Sequence, residues 1–155
     1  MKQIDNIGIK LCEYQADFFA QSPSRLNCSS LIFVKQFMES AIARRMDQGA
    51  FVLEALDIPA CFMELSREKR LSQGKEKYPS YVMSWIGYMY RYIAYTREVS
   101  SEFLFSKVKT RQLYEVYEAY HSLDPEAAAV RILEMAGLSP EDPMGRMDLA
   151  RRILL

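Results

Sequence analysis

The chain has 155 residues and a mass of 18.0 kDa, with 20 basic and 20 acidic side chains and no formal net charge. Hydrophobic residues make up 50% and charged residues 26%, a composition that builds a core and excludes a disordered tail, a collagen, a mucin stalk and a disulfide mini-protein. Neutrality excludes a wholly basic nucleic-acid binder, and the length suits one domain that buries roughly 70% of its extended surface.

The dominant apolar period is helical. Ile4, Ile7, Leu11, Tyr14 and Phe18 recur at spacings of three and four, which predicts a first helix ending near Gln21, where Ser22-Pro23-Ser24 breaks the pattern. Ser29 or Ser30 caps a second helix with Leu31, Val34, Met38 and Ile42 on its inner stripe and Phe33 and Phe37 beside them. Arg44 and Arg45 suit the C-terminal dipole of that helix, and Asp47-Gln48-Gly49 closes it. Asp57 as N-cap and Pro59 in the first turn start a third helix, with Phe62, Leu65 and Leu71 as a weaker stripe. Residues 67–77 read as a polar connector, with five basic residues against Glu68 and Glu76, plus Gly74.

A fourth helix runs from Pro79-Ser80 to about Arg97. Tyr81, Trp85, Tyr88, Tyr92 and Tyr95 form one stripe, and Val82, Ile86, Met89 and Ile93 form the next. More than half of its surface is apolar, so it is predicted to be the central helix. Its remaining face is small, with Ser84, Gly87 and Ala94 around Arg91. Glycine inside a helix costs about 1 kcal/mol against alanine, so Gly87 predicts close approach of another backbone. Ser100 or Ser101 caps a fifth helix from Glu102 to Lys107, and a sixth starts near Thr110 with Leu113, Val116, Tyr117 and Tyr120 inward. Asp124-Pro125-Glu126 starts a seventh, which carries Ala128, Ile132 and Met135 and stops at Gly137. Ser139-Pro140 and Asp142-Pro143 punctuate a peripheral tail, 138–155, in which Met147 to Leu155 forms a short last helix. No alternating run supports a sheet. The expectation is an all-α single domain over 1–155, with seven or eight helices around 79–97.

The machinery of catalysis is absent from the sequence. Six scattered glycines form no phosphate loop. Cys12, Cys28, Cys61 and His121 offer no zinc-type spacing. An odd, widely spaced set of cysteines is no disulfide framework and points to a reducing cytoplasm. No signal-type run follows Met1, and no window approaches the ~20 apolar residues of a membrane span. Cys12 and Cys61 read as small core residues and Cys28, in a loop, as the exposed thiol. Cys28 and His121 are the one nucleophile–base pair on offer. The chain is therefore expected to be no enzyme, with no cofactor and no metal.

Three constellations could carry function. In Trp85-Ile86-Gly87-Tyr88-Met89-Tyr90-Arg91-Tyr92-Ile93-Ala94-Tyr95, the tyrosines cannot all face one interior. Tyr88, Arg91, Tyr92 and Tyr95 either grip a partner or hold a buried carboxylate, the chemistry that guanidinium and phenol groups serve. Ser100 to Leu123 has the helix-turn-helix pattern, with Lys107, Lys109, Thr110, Arg111 and Gln112 as the DNA-reading set. Glu115 and Glu118 oppose it, and residues 101–155 hold seven basic against nine acidic side chains. His121, just before the Asp124 helix start, is a capping residue or a ligand.

Certain stretches are similar to known proteins. Ser29 to Ser40 with Ala43-Arg44-Arg45-Met46-Asp47, then Trp85 to Tyr92, Ser100-Ser101, Tyr114-Glu115 and Tyr120-His121-Ser122-Leu123-Asp124-Pro125, resemble a group of small bacterial proteins. That group looks like the antitoxin member of two-gene toxin–antitoxin loci. The resemblance spans roughly residues 29–132 and departs at Leu138 to Leu155. It implies a helical protein that binds and silences a cognate partner, a toxin encoded nearby, with Arg91 and His121 inside the two most specific motifs. The site expected on this reading is Tyr88, Arg91, Tyr92, Tyr95 and His121, with the DNA-binding regulator as the alternative.

Overall fold

Asp5 starts the first helix, because its carboxylate accepts the Gly8 N–H at 2.8 Å. The computed structural model describes residues 1–49, 57–147 and 153. In it α1 runs over Asn6–Arg25, past the Gln21 expected from sequence. Pro23 removes one backbone donor, which would leave the Phe19 carbonyl bare. The Ser22 hydroxyl donates to that carbonyl at 2.7 Å, so the helix carries on for its last turn. The buried face is also rotated from the predicted stripe. It holds Gly8, Leu11, Cys12, Gln15, Phe18, Phe19 and Ser22, while Ile7 is 58% exposed. A face containing a glycine and a glutamine is not the one an apolar period selects.

The predicted second helix is two. Ser29 accepts the Ile32 N–H at the start of α2 (Ser30–Met38). The buried Ser40 then accepts the Ala43 N–H and starts α3 (Ala41–Asp47). The apolar stripe 34–38–42 runs straight through this break, so periodicity hides it, and only the serine cap marks it. Glu68 of α4 (Ile58–Glu68) accepts the Ala41 N–H at 3.0 and 3.1 Å and ties α3 to α4. Asp57 precedes α4 without a side-chain cap bond, and the helix ends before Leu71. Phe62 of α4 stacks on Phe18 at 4.3 Å between centroids, and Phe19, Phe33 and Phe37 complete the aromatic heart of the core.

The polar connector is bonded to the domain. The Ser29 and Ser30 N–H groups donate to the Gln73 and Glu76 carbonyls at 2.9 Å. The Lys77 ammonium takes the Pro23 and Leu26 carbonyls at the end of α1. Gly74 has φ +79°, and a Cβ there would lie 2.7 Å from the Ser29 side chain, so only glycine fits this strap.

Helix α5 (Ser80–Arg97) is the central one, packed along α1 and touched by α6 (Ser101–Lys107), α7 (Thr110–Tyr120) and α8 (Pro125–Met135). At Gly87 an added Cβ would stand 2.7 Å from the Gln15 carbonyl oxygen and 2.7 Å from the Phe19 ring. The close approach expected there is with the backbone of α1. Ser100 accepts the Phe103 N–H and Asp124 accepts the Glu126 and Ala127 N–H groups, as caps for α6 and α8. The start of the tail docks on the end of α5. The Arg97 guanidinium reaches the Pro140 carbonyl at 2.8 Å, and that of Arg146 reaches the Glu98 carbonyl at 2.7 Å. Most of the last predicted helix lies outside the described residues. Among those residues the fold is all-α, a single domain of eight helices. None of its helices is long and apolar enough to cross a membrane.

Candidate functional site

Arg91 is 1% exposed, one turn from Gly87, where α5 closes on α1. Each of its guanidinium nitrogens has a partner. Nε donates to Gln15 Oε1 at 2.8 Å, one terminal nitrogen to Asp47 Oδ1 at 2.7 Å, and the other to Ser101 Oγ at 2.9 Å. Asp47 also accepts the Ser101 N–H and hydroxyl at 2.8 and 2.6 Å, and Gln15 returns a bond to the Gly87 carbonyl at 3.0 Å. Four helices, α1, α3, α5 and α6, meet in this network. Arg91 thus holds a buried carboxylate of its own chain. The expectation that it grips a partner is corrected, because the side chain is buried and its charge is already paired with Asp47 at 2.7 Å.

Tyr92 is corrected too. It is 6% exposed, and its hydroxyl donates to Glu126 at 3.1 Å. Burial and the Glu126 carboxylate push its phenol up to about 12. Glu126 is gripped in turn by the buried Arg97 at 2.6 and 2.7 Å. Tyr90 is fully buried and donates to the Val108 carbonyl at 2.7 Å. Tyr95 is half-buried under Lys2, whose ammonium lies 3.9 Å from the ring centroid. Its hydroxyl donates to Asp5 at 2.6 Å and holds that carboxyl below its usual range. Tyr88 is half-buried and stacks along the helix on Tyr92. Each tyrosine hydroxyl buried on α5 is thus satisfied inside the molecule.

The rings that reach the surface lie at the other end of α5. Tyr81 is 62% exposed and packs on Tyr117 of α7 at 5.7 Å between centroids. Trp85 meets the same Tyr117 edge-on at 5.6 Å. Tyr114, one turn earlier on α7 and 42% exposed, stacks on the buried Tyr78 at 4.1 Å. The exposed His121 stacks on Tyr117 at 4.3 Å, and its Nδ1 donates to the Tyr117 carbonyl at 2.8 Å. The result is a ring ladder in two stacks, Tyr78–Tyr114 and Tyr81–Trp85–Tyr117–His121, set one turn apart along α7, with Glu115 and Glu118 exposed on that helix. Of the expected site only His121 belongs to it directly. Tyr81 and Tyr117 were legible as members of apolar stripes and read as core, because spacing does not say which aromatic face is left uncovered, and Tyr114 lay outside the inward stripe of its helix.

The DNA-reading set is divided. Thr110 is 3% exposed and bonded to the Tyr90 hydroxyl at 3.0 Å, so it is not available to bases, which corrects that assignment. The Lys109 ammonium closes its own turn on the Ser106 carbonyl. Lys107 and Arg111 are exposed and Gln112 half-exposed.

No family model, curated protein or solved structure matches this chain.

The cysteines depart from expectation at one position. Cys12 and Cys61 are buried as predicted, but so is Cys28, at 3% exposure, under the connector strap. Burial pushes the Cys12 thiol up to about 12 and raises the other two. A thiol count with Ellman's reagent at pH 8 is expected to find no fast-reacting group in the native protein and three in denaturant. A rapid native reaction at Cys28 would contradict its burial.

Proposed function

We propose that the chain is a cytoplasmic protein-interaction module that binds a cognate partner through the ring ladder of Tyr81, Trp85, Tyr114, Tyr117 and His121. The carrying observation is that large rings remain 62% and 42% exposed at Tyr81 and Tyr114 while already held in place by their neighbours. Aromatic side chains fixed before binding lose little entropy on contact and supply most of the energy at binding hot spots. Following the resemblance in the two most specific motifs, the partner is a toxin encoded nearby, silenced by burial of its working surface. No catalytic step is assigned to this chain.

The test compares the wild-type chain with the Tyr81→Ser/Tyr114→Ser variant in nuclease-treated capture from native-host lysate. A stoichiometric partner encoded by a neighbouring gene is expected with the wild-type chain. The variant should bind it more weakly by about 2 kcal/mol or more, on the order of thirtyfold, while keeping the wild-type circular dichroism at the temperature of the assay. Equal retention by both forms would dismiss the ring ladder. A helix-turn-helix regulator would instead bind its own upstream DNA with an affinity falling steeply with salt, and that result would replace the proposal.

A further inference from the structure

A second surface feature lies between α2 and the α6–α7 turn. It is a groove of about 300 Å³ lined by Leu31, Ile32, Lys35, Phe105, Lys109 and Arg111. Leu31, Ile32 and Phe105 are half-buried and make an apolar floor. Lys35 stands on the α2 wall, and Lys109 and Arg111 stand on the opposite one. No carboxylate lines the groove. The Lys35 ammonium is paired with Glu39, which follows the end of α2, at 2.7 Å, and the Lys35 side chain is 55% exposed against 28% for Glu39. Arg111 makes no hydrogen bond or ion pair among the described residues.

The complement of this surface follows from its two parts. A phosphodiester backbone would satisfy the cations but bring nothing apolar to the floor. A free fatty acid would satisfy both, yet the groove is open along one side, so half of the chain would stay in water and its burial would count little. An amphipathic helix presents an apolar row to the floor and carboxylates to both walls at once. The geometry points to this groove as a docking site for an acidic amphipathic helix of a partner protein. Its Leu or Phe anchors seat on Leu31, Ile32 and Phe105, and its Asp or Glu flanks reach Lys35 on one side and Lys109 and Arg111 on the other. This surface is separate from the ring ladder and stands whether or not that reading holds. It also gives the basic residues of the α6–α7 turn a role other than DNA contact.

Two synthetic helical peptides with the same Leu/Phe face, one flanked by Glu and one by Lys, are titrated into the isotope-labelled full chain. Backbone amide NMR shifts are the readout, with decanoate as a third probe. The Glu peptide is expected to shift Leu31, Ile32 and Phe105 saturably and to bind more weakly as salt rises. The Lys peptide is expected to leave them unmoved. Lys35→Gln/Arg111→Gln, at exposed positions and with unchanged circular dichroism, should weaken the Glu peptide on the order of tenfold. Equal binding of the two peptides, shifts confined to other residues, no binding, or saturation by decanoate without binding of the Glu peptide would each overturn the proposal.

Discussion

Replacing Arg91 by alanine is expected to destabilise the domain by about 3–5 kcal/mol, the usual consequence of removing one partner from a buried ion pair. Against a total stability of about 5–15 kcal/mol for a domain, that loss leaves little of the folded state. The reason is what remains behind. Asp47 is only 12% exposed on its side chain, and Gln15 is fully buried. Without the guanidinium, the Asp47 carboxylate keeps, among the described residues, only the Ser101 hydroxyl and N–H, and Gln15 Oε1 loses its donor. Arg91→Lys should recover part of the loss, since an ammonium supplies charge but not three donors in a planar fork. Urea unfolding of Arg91→Ala, Asp47→Ala and the double variant checks this. Strong non-additivity is expected, because removing both members leaves no uncompensated charge. If Arg91→Ala unfolds at the wild-type urea midpoint, the network is not structural, and the site assignment returns to a partner-facing Arg91. The Arg97–Glu126 pair makes a useful contrast. Glu126 is 38% exposed on its side chain, so water can replace the lost guanidinium, and Arg97→Ala should cost less.

The second large effect is expected at Gly87. In an isolated helix, Gly87→Ala would gain about 1 kcal/mol of helix propensity. Here the new methyl would meet the Gln15 carbonyl oxygen at 2.7 Å and the Phe19 side chain at 2.7 and 2.9 Å. A backbone oxygen on a neighbouring helix cannot swing away, so α1 and α5 must separate. Overpacking of a tight core typically costs about 1–3 kcal/mol, and the net change is destabilising. The separation also stretches the Gln15 bond to the Gly87 carbonyl, at 3.0 Å, and the Gln15–Arg91 contact one turn on. Gly8→Ala is the control. Its new Cβ would lie 2.5 Å from the ring of Tyr95, a half-buried side chain able to shift. Thermal unfolding should rank the two, with Gly87→Ala melting at the lower temperature. A wild-type midpoint for Gly87→Ala would mean that the helices pack less closely than these distances imply.

The two effects mark how far the sequence could be read. Gly87 was legible as a point of close approach, because a glycine in the middle of an aromatic helix has few other uses. Its opposite number, Gln15, was not, since a polar residue on α1 breaks the apolar stripe and reads as solvent-facing. Arg91 stood out among its tyrosines, yet both of its roles stayed open. The carboxylate that decides between them lies 44 residues away in sequence, at the end of a helix that periodicity had merged with α2. The serine at position 40 carried the only local sign of that division. Cys28 was misread for a similar reason, since its loop is covered by a connector that local composition marks as a solvated linker.

The sequence by itself determined the all-α class, the central place of residues 79–97, and most helix starts. These features rest on interactions within a few residues: the 3.6-residue apolar period, the caps at Ser29, Ser100 and Asp124, and the prolines that follow Asp57 and Asp124. The tertiary structure alone decided which face of α1 is buried, which tyrosine hydroxyls are satisfied inside, and which rings remain at the surface. Helical spacing places an aromatic residue on a stripe. Whether that stripe is core or contact surface depends on which distant helix covers it. α1 covers Arg91, α8 supplies the acceptor for Tyr92, and α7 stops short of covering Tyr81.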